Sequence, residues 1–205
     1  MMLRRTRWLV PVLLGIAVLL GGRAGWIHAK AMLAQVLLER AWAGSDHGRH
    51  LRRPWPWADM APIARLRVPR LHQDLIVLDR DSGQALAFGP GWTPSSAAPG
   101  ASGLSVISAH RDTQFDFLGK LHTGDRILLN SAEGATRYRV MRAEVVDSRH
   151  ARLPAADSAD GLLLVTCYPF DAIVPGGPLR YVVLAQRVDD ATQPIARRIA
   201  SISAR

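Results

Sequence analysis

The chain has 205 residues, 48% of them apolar and 21% charged, with one cysteine and a formal net charge of +9. That length holds one domain of roughly 130–150 residues plus appendages, with a core that needs no disulfide or metal. The charge excludes less than it suggests: residues 1–53 carry nine Lys/Arg against two acids, 54–190 fourteen against fifteen, and 191–205 three against none. A near-neutral globular part argues against a nucleic-acid partner, and basic ends point to a membrane surface.

Arg4, Arg5 and Arg7 precede an apolar run from Trp8 to Gly22. Fifteen residues fall short of the ~20 that span a bilayer, unless Arg23 snorkels and Ala24–Ala29 continue the helix. Trp8 and Trp26 then sit near the two interfaces, and the basic cluster keeps the amino terminus in the cytoplasm. Residues 1–30 are thus expected to form a basic tip and a transmembrane signal-anchor; Ala29-Lys30-Ala31 offers the rival reading of a cleaved signal peptide. Met32, Leu33, Val36, Leu37 and Trp42 fall near helical spacing, so 31–53 reads as a helical stalk, or as packing for the domain, with the helix ending near Gly44-Ser45.

Pro54-Trp55-Pro56-Trp57 breaks the helix and opens a domain over 54–190. Strands are expected at Ile63–Val68, Leu75–Leu78, Leu104–Ala109, Arg126–Leu129, Thr136–Val146, Leu162–Thr166 and Arg180–Val188. Helix is limited to short pieces near Gln84–Ala87 and Gln114–Leu121, and 191–205 is a basic tail. Short strands between Gly/Pro turns predict an all-β domain, an antiparallel barrel or sandwich.

Three residues at strand edges carry the chemistry. Cys167 ends Leu162-Leu163-Leu164-Val165-Thr166, His110 ends Leu104–Ala109, and Arg180 opens the last strand. A thiolate attacks a carbonyl, an imidazole moves the protons, and a guanidinium stabilises the oxyanion. Each also has a bland reading. A lone cysteine after an apolar run is often a small buried apolar group. His28, His47, His50, His72, His122 and His150 compete with His110, and Arg180 alone is an ordinary strand-edge arginine.

The wording around these residues resembles the sortases, cysteine transpeptidases of bacterial envelopes. Gly100 to Asp112 is similar to the segment around the family's catalytic histidine, and Phe117 to Asp125 to the helix and turn after it. Leu163-Leu164-Val165-Thr166-Cys167 resembles the T-L-x-T-C nucleophile motif except at its first position, and Leu179-Arg180-Tyr181-Val182-Val183 the arginine strand. Gly89-Pro90-Gly91-Trp92 resembles a G-P-G-H turn with Trp for His; with Trp55 and Trp57 it is most like the Gram-negative proteobacterial subgroup (class GN).

The resemblance implies a sortase-type antiparallel β-barrel behind an N-terminal transmembrane helix, with catalytic His110, Cys167 and Arg180. Thr166, Tyr168 and Pro169 are implied to contact substrate. It further implies cleavage of an LPXTG-like sorting signal between Thr and Gly and transfer of the acyl group to an amine. The partners implied are a secreted protein bearing that signal, an amine acceptor of unknown identity and the inner membrane. No metal, organic cofactor or nucleic acid is expected, and the catalytic domain lies outside the cytoplasm. Specificity is expected in the loops Ser148–Asp160 and Tyr168–Pro178. Two other readings stay open: another envelope cysteine acyltransferase or protease, and a non-catalytic envelope binding module.

Overall fold

The computed structural model describes residues 3–151, 160–172, 174 and 176–188, with backbone alone at 3–12, 17, 20, 24–25 and 27–28. Most side chains of the Trp8–Gly22 run, residues 152–159 of the Ser148–Asp160 loop and the tail from 189 onward lie outside the described residues.

Eight strands close into one barrel. They are β1 Pro62–Val68, β2 Gln73–Leu78, β3 Gly91–Trp92, β4 Leu104–Ser108, β5 Arg126–Ser131, β6 Gly134–Asp147, β7 Gly161–Cys167 and β8 Leu179–Arg187, in the spatial order β1-β2-β3-β4-β7-β8-β6-β5. All seven expected strands are present. The expected antiparallel barrel is present with two exceptions, because β2 pairs with β3 and β4 pairs with β7 in parallel. Parallel neighbours need a long crossover. The excursion through β5 and β6 supplies one between β4 and β7, and pairing of that kind leaves no mark in a strand's own sequence.

Alternation decides which side chains enter the barrel. In β1, Ala64, Leu66 and Val68 are buried while Arg65 and Arg67 face outward. In β6, Thr136, Tyr138 and Val140 point in, with Arg137 and Arg139 exposed between them. Strand β7 instead buries both faces. Leu162 and Leu164 join the barrel core, and Leu163 packs outside with Leu104, Val106 and Val182. This explains why its sequence is a continuous apolar run, as buried strands with parallel neighbours usually show. It also places Leu163, the departure from the nucleophile motif, on the face away from the barrel interior.

Strand β3 was invisible in sequence. Its two residues pair with Leu78 on one side and with Ser108 and Ile107 on the other. Gly91 permits this, since a Cβ there would press into the backbone of Arg80 and Asp81. Trp92 packs against the core and donates its indole N–H to the Ala97 carbonyl at 2.9 Å.

A single helix, α1, runs from Leu3 to Ala43. Among the described residues no helix is long and apolar enough to cross a membrane. The carboxyl half of α1 packs on the domain. Leu38 and Trp42 are buried against Ala58, Met60, Ile76 and Leu78. Gln35 donates to the Phe88 carbonyl at 2.8 Å, and Glu39 pairs with Arg65 at 3.0 Å. After Ala43 the chain turns on Ser45, whose buried hydroxyl bonds Trp42 O and Gly48 N. The remaining helices are short: α2, Gly83–Leu86, capped by Ser82, and 3-10 turns at Pro69–Leu71 and Asp116–Lys120.

One ion pair ties the turn before β5 to the segment after β1. Arg70 donates two hydrogen bonds of 2.6 Å to the Asp125 carboxylate, which also accepts from His122 N–H. These bonds, Arg70 first, hold the carboxyl below the usual aspartate range. A group with a lowered folded-state pKa stabilises above its unfolded value and loses that contribution as pH falls through the folded one. Asp125→Asn is therefore expected to lower the melting temperature at pH 7. Its difference from the parent should shrink towards zero as melts are repeated from pH 5 downward.

Candidate active site

The three residues singled out in sequence meet at one end of three neighbouring strands. His110 lies two residues past the end of β4, Cys167 is the last residue of β7, and Arg180 is the second residue of β8. Cys167 and Arg180 stand directly opposite one another in the β7–β8 ladder. The β4–β7 ladder runs to Ser108 opposite Val165, and the Ala109 N–H extends it to the Val165 carbonyl at 3.2 Å. Two parallel strands ending level thus bring the imidazole and the thiol to one cleft.

That cleft has a volume of about 100 Å³ and is lined by His110, Arg111, Asp112, Cys167 and Gly176. His110 is exposed and Cys167 half-buried, so the thiol has a solid back and an open front. Arg180 does not line it. Its Nη1 donates to the carbonyls of Gly177 at 2.6 Å and Leu179 at 2.9 Å, which fixes the guanidinium against the turn into β8. An oxyanion on a substrate held at Cys167 would have to draw the guanidinium from these carbonyls.

Sequence reasoning missed Arg111 and Asp112, which line the cleft. Arg111 donates to the Ala172 carbonyl at 2.7 Å, linking the histidine segment to the loop after the cysteine. The signal was present, since both directly follow the histidine in Ser108-Ala109-His110-Arg111-Asp112.

Thr166 departs from the expectation of a substrate contact. It is 2% exposed, and its hydroxyl donates to the Ala109 carbonyl at 2.7 Å. Residue 166 precedes the thiol and residue 109 precedes the imidazole, so this bond clamps the two backbones side by side. Thr166→Val leaves a buried carbonyl unpaired, at about 1–3 kcal/mol of stability. It is also expected to lower kcat by roughly ten- to a hundredfold through misplacement, with KM little changed and Thr166→Ser retaining most of the rate.

Tyr168 and Pro169 follow Cys167 around a cis peptide bond. Pro169 is exposed, whereas the Tyr168 ring stacks on Tyr181 at 6.2 Å and meets Phe170 edge-on at 6.0 Å. Phe170 packs so closely on the 3-10 turn that a Cβ at Gly119 would come within 3.1 Å of its ring. This aromatic group gives the start of the Tyr168–Pro178 loop a rigid base. The loop's end is tied to the segment after β6, because Ser148 donates through both its N–H and its hydroxyl to the Pro178 carbonyl, at 2.9 and 2.7 Å. Among the described residues, no group of three His, Cys, Asp or Glu is arranged to hold a metal ion.

Residues 66–188, more than half of the chain, match the family model of the sortase domain. The chain belongs to the sortase family. It is 31% identical to sortase D of Bacillus subtilis (strain 168) over 124 residues, which are 60% of this chain and 62% of that one. The chain thus spans somewhat less than two thirds of that curated sortase. Among solved structures it resembles sortase C-1 from Actinomyces oris, with 25% identity, TM-score 0.54 and coverage of 64% of this chain and 76% of that one. It also resembles a Clostridium perfringens sortase D5 transpeptidase, with TM-score 0.63 over 77% of this chain and 99% of that one. At 18% identity, this second likeness speaks for the fold alone.

Proposed function

We propose that this sortase is a membrane-anchored cysteine transpeptidase that cleaves an LPXTG-like sorting signal between Thr and Gly and joins the acyl part to an amine. The observation that carries this reading is the convergence of His110 and Cys167 on one cleft, with Arg180 opposite the cysteine. The Cys167 thiolate attacks the threonine carbonyl carbon, and the tetrahedral oxyanion is met by Arg180 as it swings from the Gly177 and Leu179 carbonyls. His110 gives its proton to the departing glycine nitrogen, the C–N bond breaks, and a thioester remains. An amine then attacks that thioester while His110 takes its proton, and the thiolate leaves. No cofactor enters the sequence.

The anchor reading rests on Arg4, Arg5 and Arg7 ahead of the apolar run Trp8–Gly22, and on the unbroken course of α1 from Leu3 to Ala43. It places the barrel outside the inner membrane, where a secreted protein with a carboxyl-terminal signal meets it. Trp92 in the Gly-Pro-Gly turn, with Trp55 and Trp57, supports the Gram-negative subgroup (class GN).

The test is incubation of the full chain with an LPXTG-type peptide and a small amine. A Cys167 thioester by mass spectrometry, followed by the peptide–amine product, is the expected result. No adduct and no product across a panel of signal variants would overturn the reading. Hydrolysed peptide alone, with amine present in excess, would make the protein a protease instead.

A further inference from the structure

The near-neutral total of residues 54–190 conceals a concentration of arginine on one face. Arg70, Arg126, Arg137 and Arg139 line a cleft of about 690 Å³ on the outside of β5 and β6, with Leu128 and Val188 supplying apolar wall. Arg126 stands directly opposite Arg139 across the β5–β6 ladder, and both are exposed. Like charges facing each other across strands destabilise a sheet, and a bound anion removes that repulsion. Neither side chain makes a hydrogen bond or ion pair among the described residues, while Asp125 in the same lining is already engaged by Arg70.

The position of the cleft narrows the kind of anion. The pairings make β1, β4, β6 and β7 end, and β2, β5 and β8 begin, at the end of the barrel that bears Cys167. Arg126 is the first residue of β5 and Pro69-Arg70 directly follow β1, while Arg139 lies eight residues short of the end of β6, so the cleft sits on the barrel wall below that end. Helix α1 climbs to it as well. Trp42 packs beside Met60, near the start of β1. Lys30, Met32 and Gln35 line a second cleft with Phe88, Thr113 and Gln114, close after His110. The chain that continues towards Trp8–Gly22 therefore leaves from the catalytic end, and from Lys30 back to Gly22 is roughly 12 Å of helix.

We propose that Arg126 and Arg139 seat the phosphate of an anionic membrane lipid, docking the barrel wall below the Cys167 end against the bilayer surface. The orientation rests on the anchor reading above; the headgroup site rests on the arginine pair. Apolar Leu128 and Val188 beside the arginines suit a lipid better than a free inorganic ion. A site held over the membrane also faces substrates that are themselves tethered there.

The test uses the full chain in phosphatidylcholine vesicles doped with phosphatidylglycerol carrying a headgroup photo-crosslinker, with labelled peptides mapped by mass spectrometry. Label is expected in Gly124–Leu128 and Arg137–Arg139. In Arg126→Gln/Arg139→Gln, half-saturation should need about thirtyfold more phosphatidylglycerol, the loss expected when two arginines leave an anionic surface, and the melting temperature should hold or rise as the facing charges go. Equal labelling by a phosphatidylcholine probe, or labelling that the double variant leaves unchanged, overturns the proposal. So does displacement of the label by millimolar inorganic phosphate or by a short DNA duplex. A chain that sediments with the vesicles but carries label elsewhere defeats the headgroup site alone; one that stays off phosphatidylglycerol vesicles defeats the anchor with it.

Discussion

Replacing Cys167 with alanine is expected to lower peptide–amine joining by roughly 10⁴- to 10⁶-fold, the scale seen when a covalent nucleophile is removed. The thioester adduct should vanish with it. The loss belongs to chemistry rather than folding, because Cys167 is the half-buried last residue of β7, and the core of that strand is Leu162 and Leu164. The melting temperature should therefore stay near the parent's. Cys167→Ser is expected to fare little better, since a serine hydroxyl ionises far less readily than a thiol. An alanine variant that keeps full activity in cells while losing joining in the test tube would favour a binding module over an enzyme.

His110→Ala is expected to cost about 10²- to 10⁴-fold in kcat, the range for loss of a positioned acid–base group. The useful discriminator is a substrate whose scissile amide is replaced by a thioester. Its leaving group departs without a proton, so acylation of His110→Ala by that substrate should recover most of the parent rate. The later attack by an amine should remain slow, and the acyl-enzyme should accumulate. An equal loss on both substrates would mean that His110 shapes the cleft and does not move the proton. His110 is exposed and absent from the barrel core, so its removal leaves packing intact.

How much of this was legible in the sequence follows from the range of each interaction. Alternation in Ile63–Val68 and Thr136–Val146 is a local consequence of one buried face, and those strands were readable within a few residues. Gly91-Trp92 was not, because a two-residue strand has no period and exists only through its neighbours on either side. The parallel pairing of β4 with β7 was equally hidden, as register is a property of two strands together. That His110, Cys167 and Arg180 share one end of the strands was readable because each sits in a distinctive local phrase. The buried hydroxyl of Thr166 was not, since a threonine beside a nucleophile reads as a substrate contact until its partner, the Ala109 carbonyl, is seen. The arginine cleft escaped for a related reason. Summed charge over a segment cannot reveal that Arg126 and Arg139, distant along the chain, stand opposite one another.

The parallel junction of β4 and β7 also sets when the cleft that holds His110 and Cys167 can exist. The Thr166–Ala109 bond spans 57 positions of chain, and β5 and β6 both lie between them in sequence. Contacts of such long sequence separation carry a large loop-closure entropy and form late. A nascent chain delivered across a membrane would hold a lone, separate thiol until β7 docks. On the proposed function, peptide joining then reports completed folding, and partly folded chains should be chemically silent towards sorting signals.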